Sequence, residues 1–221
     1  MAVYRGPKIV ADSLVMLMDA ADKNSYRGGS TWNDVTKNNN NGTIENSPTY
    51  VDGQLSYFTL NGSTQRIVCG NNSSLQITVG TIDAWIYPNA NASTHGIITK
   101  QNAWGLFVAG NKLQAYDWGN ALFRDTGITI GNATQWYHVA MTFTETVGTP
   151  SNNAIIYING SAVLTTTVRH STQTVQVMLG ESNSTQFLNG NIAAASIYNR
   201  VLTSSEILQN YNAKKSRFNL K

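Results

Sequence analysis

Cysteine is nearly absent: Cys69 is the single thiol in 221 residues, which excludes an intramolecular disulfide and any paired-cysteine metal site. It is expected to be a small buried hydrophobe at a strand end. Charge is scarce too, with Asp, Glu, Lys and Arg at 12% and a net charge of +3. Nucleic acid is held by a dense basic stripe interleaved with aromatics, and no such stripe is present, so no nucleic-acid partner is expected. No run approaches the roughly 20 apolar residues of a membrane span, and Met1 to Val10 lacks the apolar core of a secretory signal. An unprocessed product with no membrane partner is expected. The motifs of phosphate loops, zinc peptidases, serine hydrolases and dinucleotide sites are missing, and His95, His138 and His170 stand isolated. With only four prolines, no Pro-rich linker, no fixed-period repeat and no long charge run, nothing divides the chain. Residues 13–213 are expected as one domain, with 1–12 as an N-terminal arm and 214–221 as a basic, solvated tail.

What is present is short strands and turn chemistry. In Trp136-Tyr-His-Val-Ala-Met-Thr-Phe143, Tyr137, Val139, Met141 and Phe143 share one face of an extended chain. Ala154 to Ile158 is rich in β-branched residues, and Asn159-Gly160 supplies the positive φ angles of a two-residue hairpin. A strand is predicted after Asn189-Gly190, with Ile192, Ala194, Ser196 and Tyr198 alternating against Ala193, Ala195 and Ile197. Further strands are predicted at Leu14 to Met18, Leu55 to Leu60, Arg66 to Cys69, Thr81 to Tyr87, Gly96 to Lys100, Trp104 to Val108, Lys112 to Asp117 and Val175 to Leu179. Asn61-Gly62 and Gly110-Asn111 read as hairpin turns, and Thr81 to Tyr87, bulky on both faces, as a central strand. Thr203-Ser-Ser-Glu206 is a capping box, with Leu202 and Ile207 as its hydrophobic staple, and it opens a short amphipathic helix. The pattern is all-β: an antiparallel sandwich or jelly roll with one short C-terminal helix.

Seven segments in order carry a family resemblance: Leu17-Met-Asp-Ala-Ala-Asp-Lys-Asn-Ser-Tyr26, Thr31-Trp-Asn-Asp34, Asn40-Asn-Gly-Thr43, Ala84-Trp-Ile-Tyr-Pro88, Trp136-Tyr-His-Val-Ala140, Ile156-Tyr-Ile-Asn-Gly160 and Ile197-Tyr-Asn-Arg-Val-Leu-Thr-Ser-Ser-Glu-Ile207. Together they resemble the LamG-like jelly-roll branch of the concanavalin A-like lectin/glucanase superfamily. The two ends, Met1-Ala-Val-Tyr-Arg-Gly-Pro-Lys-Ile-Val10 and Gln209-Asn-Tyr-Asn-Ala213 with Arg217-Phe218, are similar to those of structural proteins of marine tailed phages. That second resemblance implies a non-enzymatic virion surface protein, assembled in the host cytoplasm, with capsid or tail proteins as partners and self-association as a further expectation. The alternative is a lectin-like module that holds host glycans.

The candidate sites follow from the chemistry each would need. Glucanases of this fold carry paired carboxylates on alternate strand positions, but Glu45, Glu145, Glu181 and Glu206 have no second acid two residues away. No catalytic residue is assigned, and no cofactor is required. Calcium, which many LamG-like domains bind, needs six to eight oxygens, and Asp19, Asp22 and Asp34 with Asn24 are the oxygen-rich set. The competing reading is that Asp19 and Asp22 tie down the turn after the first strand by hydrogen bonds to the backbone. The chain departs from its relatives at Asn61-Gly-Ser-Thr-Gln-Arg66 and Ile192-Ala-Ala194, where acids are often found. A sugar needs an aromatic platform with amides and carboxylates around it, which nominates Trp104, Tyr116, Asp117, Trp118 and Asn120. Burial of Trp104 and Trp118 in the sandwich or a subunit interface is the alternative for that stretch.

Overall fold

The computed structural model describes residues 8–89, 93–131, 135–144, 151–169 and 173–220. Residues 1–7 of the expected arm, Glu145 and His170 lie outside them. The described strands are β1 (Leu14–Asp19), β2 (Thr31–Trp32), β3 (Gly42–Glu45), β4 (Thr49–Val51), β5 (Tyr57–Asn61), β6 (Arg66–Val68), β7 (Gly80–Pro88) and β8 (Thr94–Lys100). They continue with β9 (Trp104–Ala109), β10 (Lys112–Asp117), β11 (Leu122–Thr129), β12 (Tyr137–Phe143), β13 (Ala154–Ile158), β14 (Ser161–Thr166), β15 (Val177–Leu179) and β16 (Asn189–Tyr198), before helix α1 (Ser204–Lys214). All pair antiparallel in two sheets. The first runs β14-β13-β12-β7-β16-β5-β4, with β1 also on β16; the second runs β11-β10-β9-β8-β15-β6-β3-β2. The fold is the expected all-β sandwich of jelly-roll type with one short C-terminal helix.

The main core lies between the sheets. Val139, Met141 and Phe143 of β12 and Ile82, Ala84 and Ile86 of β7 face Leu106, Val108 and Leu113 of the second sheet. The strand β7 is central in its sheet, as its two bulky faces imply, because Trp85 and Tyr87 on its other side meet a second layer. That layer is α1 and the residues after it. Trp85 stacks on Phe218 with ring centroids 4.1 Å apart and lies near-parallel to Tyr211 at 5.8 Å. Val10, Tyr157, Tyr198, Leu202 and Ile207 fill the rest of the space under the helix.

Three details differ from expectation. The alternation in β16 breaks at a bulge between Ile192 and Ala194, so Ile192, Ala195 and Ile197 point to the main core while Ala193 and Ala194 face Trp85 and Phe218. Asn61-Gly62 does not close a hairpin: β5 and β6 belong to different sheets. The Asn61 side chain accepts from the amides of Ser63 and Thr64, and the chain crosses between layers there. Residues after Lys214 are not a solvated tail. Lys214 Nζ donates to Asp19 at 2.7 Å, Arg217 donates to Asp19 and to the Leu55 and Ser56 carbonyls, and Phe218 is buried. Residues 8–12 are likewise tied down, since Val10 donates to Asn210 and accepts from Tyr198. Cys69 is buried, and burial pushes its thiol up, away from reactivity. No helix among the described residues is long and apolar enough to cross a membrane.

Candidate functional site

The helix and C-terminal segment cover the outer face of the first sheet, and the outer face of the second carries an aromatic cluster. The cause is strand parity. In β9 the residues Trp104, Leu106 and Val108 point inward, so Phe107 points outward; in β10 Leu113 and Ala115 point inward, so Tyr116 points outward. Tyr116 lies directly opposite Phe123 of β11, their rings 4.8 Å apart, and Trp118 meets Tyr116 edge-on at 5.0 Å. Phe107 forms the floor, 5.4 Å from Phe123 and 6.2 Å from Trp118. Gly105 makes room for the indole: a Cβ there would lie 3.2 Å from the Trp118 ring.

These rings form one wall of a cavity of about 280 Å³ whose other wall is amides and hydroxyls, Gln101, Asn102, Ser182, Asn183 and Gln186. The polar wall is held by the backbone. Thr99 Oγ1 donates to the Glu181 carbonyl at 2.6 Å, and the Gly96 amide donates to the Gln186 carbonyl at 2.9 Å. Gly96 itself is needed there, because a Cβ would fall 2.5 Å from the Glu181 carbonyl. Glu181 is buried; burial raises its pKa against the opposing pull of the Ser184 amide and Arg66.

Of the residues nominated for sugar contact, Tyr116 and Trp118 line this cavity. Trp104 does not: it is 1% exposed in the main core near Phe143, and its strand parity turns it away from Phe107. Asp117 is fully buried for the same reason and works as an anchor. Its carboxylate accepts from Arg124, from the Arg169 guanidinium at 3.2 Å and amide at 3.0 Å, and from the Asn120 side chain at 3.1 Å. Burial acts to raise the Asp117 pKa, but the hydrogen bonds from Arg124 and Arg169 hold it below the usual carboxylate range. The network fixes the turn that carries Trp118, with Asn120 at its exposed end. Phe107, Phe123 and the polar wall were absent from the nominated set, although the outward parity of Tyr116 and Trp118 leads straight to Phe107.

Asp19, Asp22 and Asp34 do not converge, and no group of three or more His, Cys, Asp or Glu side chains suited to a metal is found among the described residues. Asp19 accepts from Lys214, Arg217 and the Ala21 amide. Burial opposes ionisation of Asp19, but the two cations keep its pKa lowered. Asp22 accepts from the Asn24 amide. Asp34 accepts from the amides of Leu17, Thr36 and Asn40 and organises the loop before β3. His95 lies 2.6 Å from the Phe187 carbonyl, and His138 is buried between Trp85 and Tyr211, 3.8 Å from Asp83.

The domain description Laminin_G_3, of the concanavalin A-like lectin/glucanases superfamily, matches residues 61–208. Among solved structures, the chain resembles the binding domain of Paraclostridial Mosquitocidal Protein 1 with a TM-score of 0.68 and 19% identity, over 91% of this chain and 52% of that one. It resembles domain 4 of AbnA, a GH43 extracellular arabinanase from Geobacillus stearothermophilus solved in complex with arabinotriose, with a TM-score of 0.65 and 19% identity over 90% and 98% of the two chains. It also resembles the binding domain of Botulinum Neurotoxin DC in complex with SialylT, with a TM-score of 0.67 and 18% identity over 92% and 52%. The chain thus spans about half of the toxin binding domains and nearly all of the arabinanase domain. No curated protein matches it in sequence. Sheet order, the capped terminal helix and a match over more than half the chain agree: the chain belongs to the concanavalin A-like lectin/glucanases superfamily.

Proposed function

We infer that the protein is a lectin-like carbohydrate-binding module whose ligand lies on the outer face of the second sheet. The observation that carries this reading is the pairing of Tyr116 and Trp118 over Phe107 with a facing wall of Gln101, Asn102, Asn183 and Gln186. A pyranose presents an apolar C–H face and a rim of hydroxyls, and this cavity offers an aromatic surface for the first and amide groups for the second. The neighbours solved with arabinotriose and SialylT support the same use of the fold. The reading is non-enzymatic. Glycoside hydrolysis needs two carboxyl groups flanking one bond, whereas among the described residues Glu181 is the acid at the groove and its neighbour Glu45 is joined to it through Arg66.

A place on a virion surface, with capsid or tail proteins as partners, draws its support from the chain ends. Residues 1–7 lie outside the described residues, and in the C-terminal stretch Gln209 donates to the Lys8 carbonyl while Tyr211 and Phe218 are buried against Trp85. The test is a glycan array followed by titration of each hit. Trp118→Ala is expected to weaken binding about tenfold, the loss of about 1.4 kcal/mol of stacking, with unchanged circular dichroism. Absence of any glycan hit, together with co-purification with virion proteins, would favour the adhesion role instead.

A further inference from the structure

The groove consists of two hollows rather than one. Beside the aromatic cavity lies a second of about 400 Å³, and the two share Gln101, Asn102, Ser182 and Asn183. Gln101 Nε2 donates to Asn183 Oδ1 at 3.0 Å along the line where they meet, forming a low polar saddle. The second hollow runs over Thr99 and Met178 towards Thr174 and Gln176, with Glu181 at its base. Met178 pairs with Thr99, which pairs with Gly105, so the floor continues across β15, β8 and β9 to the aromatic rings. Asn102, Asn183 and Ser184, which line the hollows, all hold positive φ angles of 55–59°. Together the hollows fall in the size range of about 300–1,000 Å³ typical of ligand clefts, larger than one sugar residue fills.

The charges around the groove are already engaged. Arg66 is 2.8 Å from Glu45 and 3.6 Å from Glu181. Arg124 and Arg169 converge on Asp117, and Lys100 Nζ donates to the Val175 carbonyl and Asn71. The described residues that line the two hollows carry no ammonium or guanidinium, and their single carboxyl is that of Glu181. Among the described residues a ligand carboxylate would lose water and meet no cation in the lining, which is costly, whereas hydroxyls meet amide donors and acceptors.

Resting on the carbohydrate reading above, we propose that the groove binds a neutral oligosaccharide of two or more residues, one pyranose stacked on Tyr116 and Trp118 and the next crossing the Gln101–Asn183 saddle into the polar hollow. Calorimetric titration of the full chain with cello-, xylo-, galacto- and arabino-oligosaccharides, from monomer to tetramer, tests it, with sialyllactose and oligogalacturonate as acidic probes. In the series that binds, affinity is expected to rise about tenfold beyond the monomer, the contribution of one or two added hydrogen bonds. Thr174→Ala and Gln176→Ala, exposed residues that line the polar hollow and not the aromatic cavity, should erase that gain and leave monomer affinity unchanged, while Trp118→Ala lowers both. Acidic glycans should bind at least about tenfold more weakly than neutral ones of equal length. Equal affinity for monomer and oligomer, an unaltered length dependence in both Thr174→Ala and Gln176→Ala, or preferred binding of an acidic glycan would overturn the proposal while leaving a sugar site in place. Binding of no saccharide, or binding indifferent to Trp118→Ala, would remove the carbohydrate reading itself and this proposal with it.

Discussion

Two tryptophans in one short stretch have opposite roles, and a single step of strand parity separates them. Trp104 shares a face with Leu106 and belongs to the core, whereas Trp118 shares a face with Tyr116 and lines the groove. Aromatic density alone could not make that division; alternation along β9 and β10 could. Asp117 shows the same lesson for a polar residue, since its place between two outward aromatics sends its carboxylate inward, where Arg124 and Arg169 meet it. Replacing Asp117 with Asn leaves two partly buried guanidinium groups without their anion and is expected to cost roughly 3 kcal/mol in chemical denaturation. Because its folded pKa lies below the unfolded value of about 3.9, the contribution of Asp117 is fully present above that value and is lost as pH falls through the folded one. The stability gap between wild type and Asp117→Asn should therefore stay constant down to about pH 4 and narrow progressively below it. A gap that is constant with pH would show that the carboxylate's charge is not what holds the turn.

Elements with local chemistry were legible before any tertiary contact was considered. Helix α1 begins where the capping box places it: Glu206 donates no proton but accepts from the Thr203 amide at 2.8 Å, and the Thr203 hydroxyl accepts from the Glu206 amide at 3.3 Å. Asn159 and Gly160 take φ angles of 50° and 78°, the geometry of a tight hairpin, and join β13 to β14. The short strands β2, β3 and β4 have no such marks and exist because neighbours in the sheet supply their partners. Thr203→Ala is expected to lower stability by about 1 kcal/mol in thermal or urea unfolding. Glu206 adds a pH signature. Hydrogen bonds from Arg200, then from the Thr203 amide, bring its pKa to about 2, so its contribution holds above the unfolded value of about 4.3 and disappears as pH falls towards 2. Glu206→Gln should remove that part of the acid sensitivity, seen as a flatter melting temperature against pH.

The two sheets differ in their cover: one is roofed by α1 and the C-terminal segment, and among the described residues no helix lies on the other. Residues 215–220 complete the roof through Phe218, stacked on Trp85 and tilted against Trp136 at 4.9 Å, and through the Arg217–Asp19 ion pair. Their deletion should uncover Trp85, shift tryptophan fluorescence to the red, and remove about 3 kcal/mol of apolar burial, a fall of roughly 6–12 °C in melting temperature. Unchanged fluorescence would mean that the roof does not depend on them. Composition, alternation and capping chemistry were enough to determine the sandwich, the terminal helix and the central position of β7, because those depend on periodicities that run along the chain. The groove was only half legible. Tyr116 and Trp118 stood out, but Gln101, Asn102, Ser182, Asn183 and Gln186 come from two turns some 80 residues apart, as the Gln101–Asn183 hydrogen bond records. Only the pairing of β15 with β8 brings those turns together, and only the docking of α1 on the first sheet decides which outer face stays open. Contacts between distant segments carry no local signature, and the ligand-binding face is made of them.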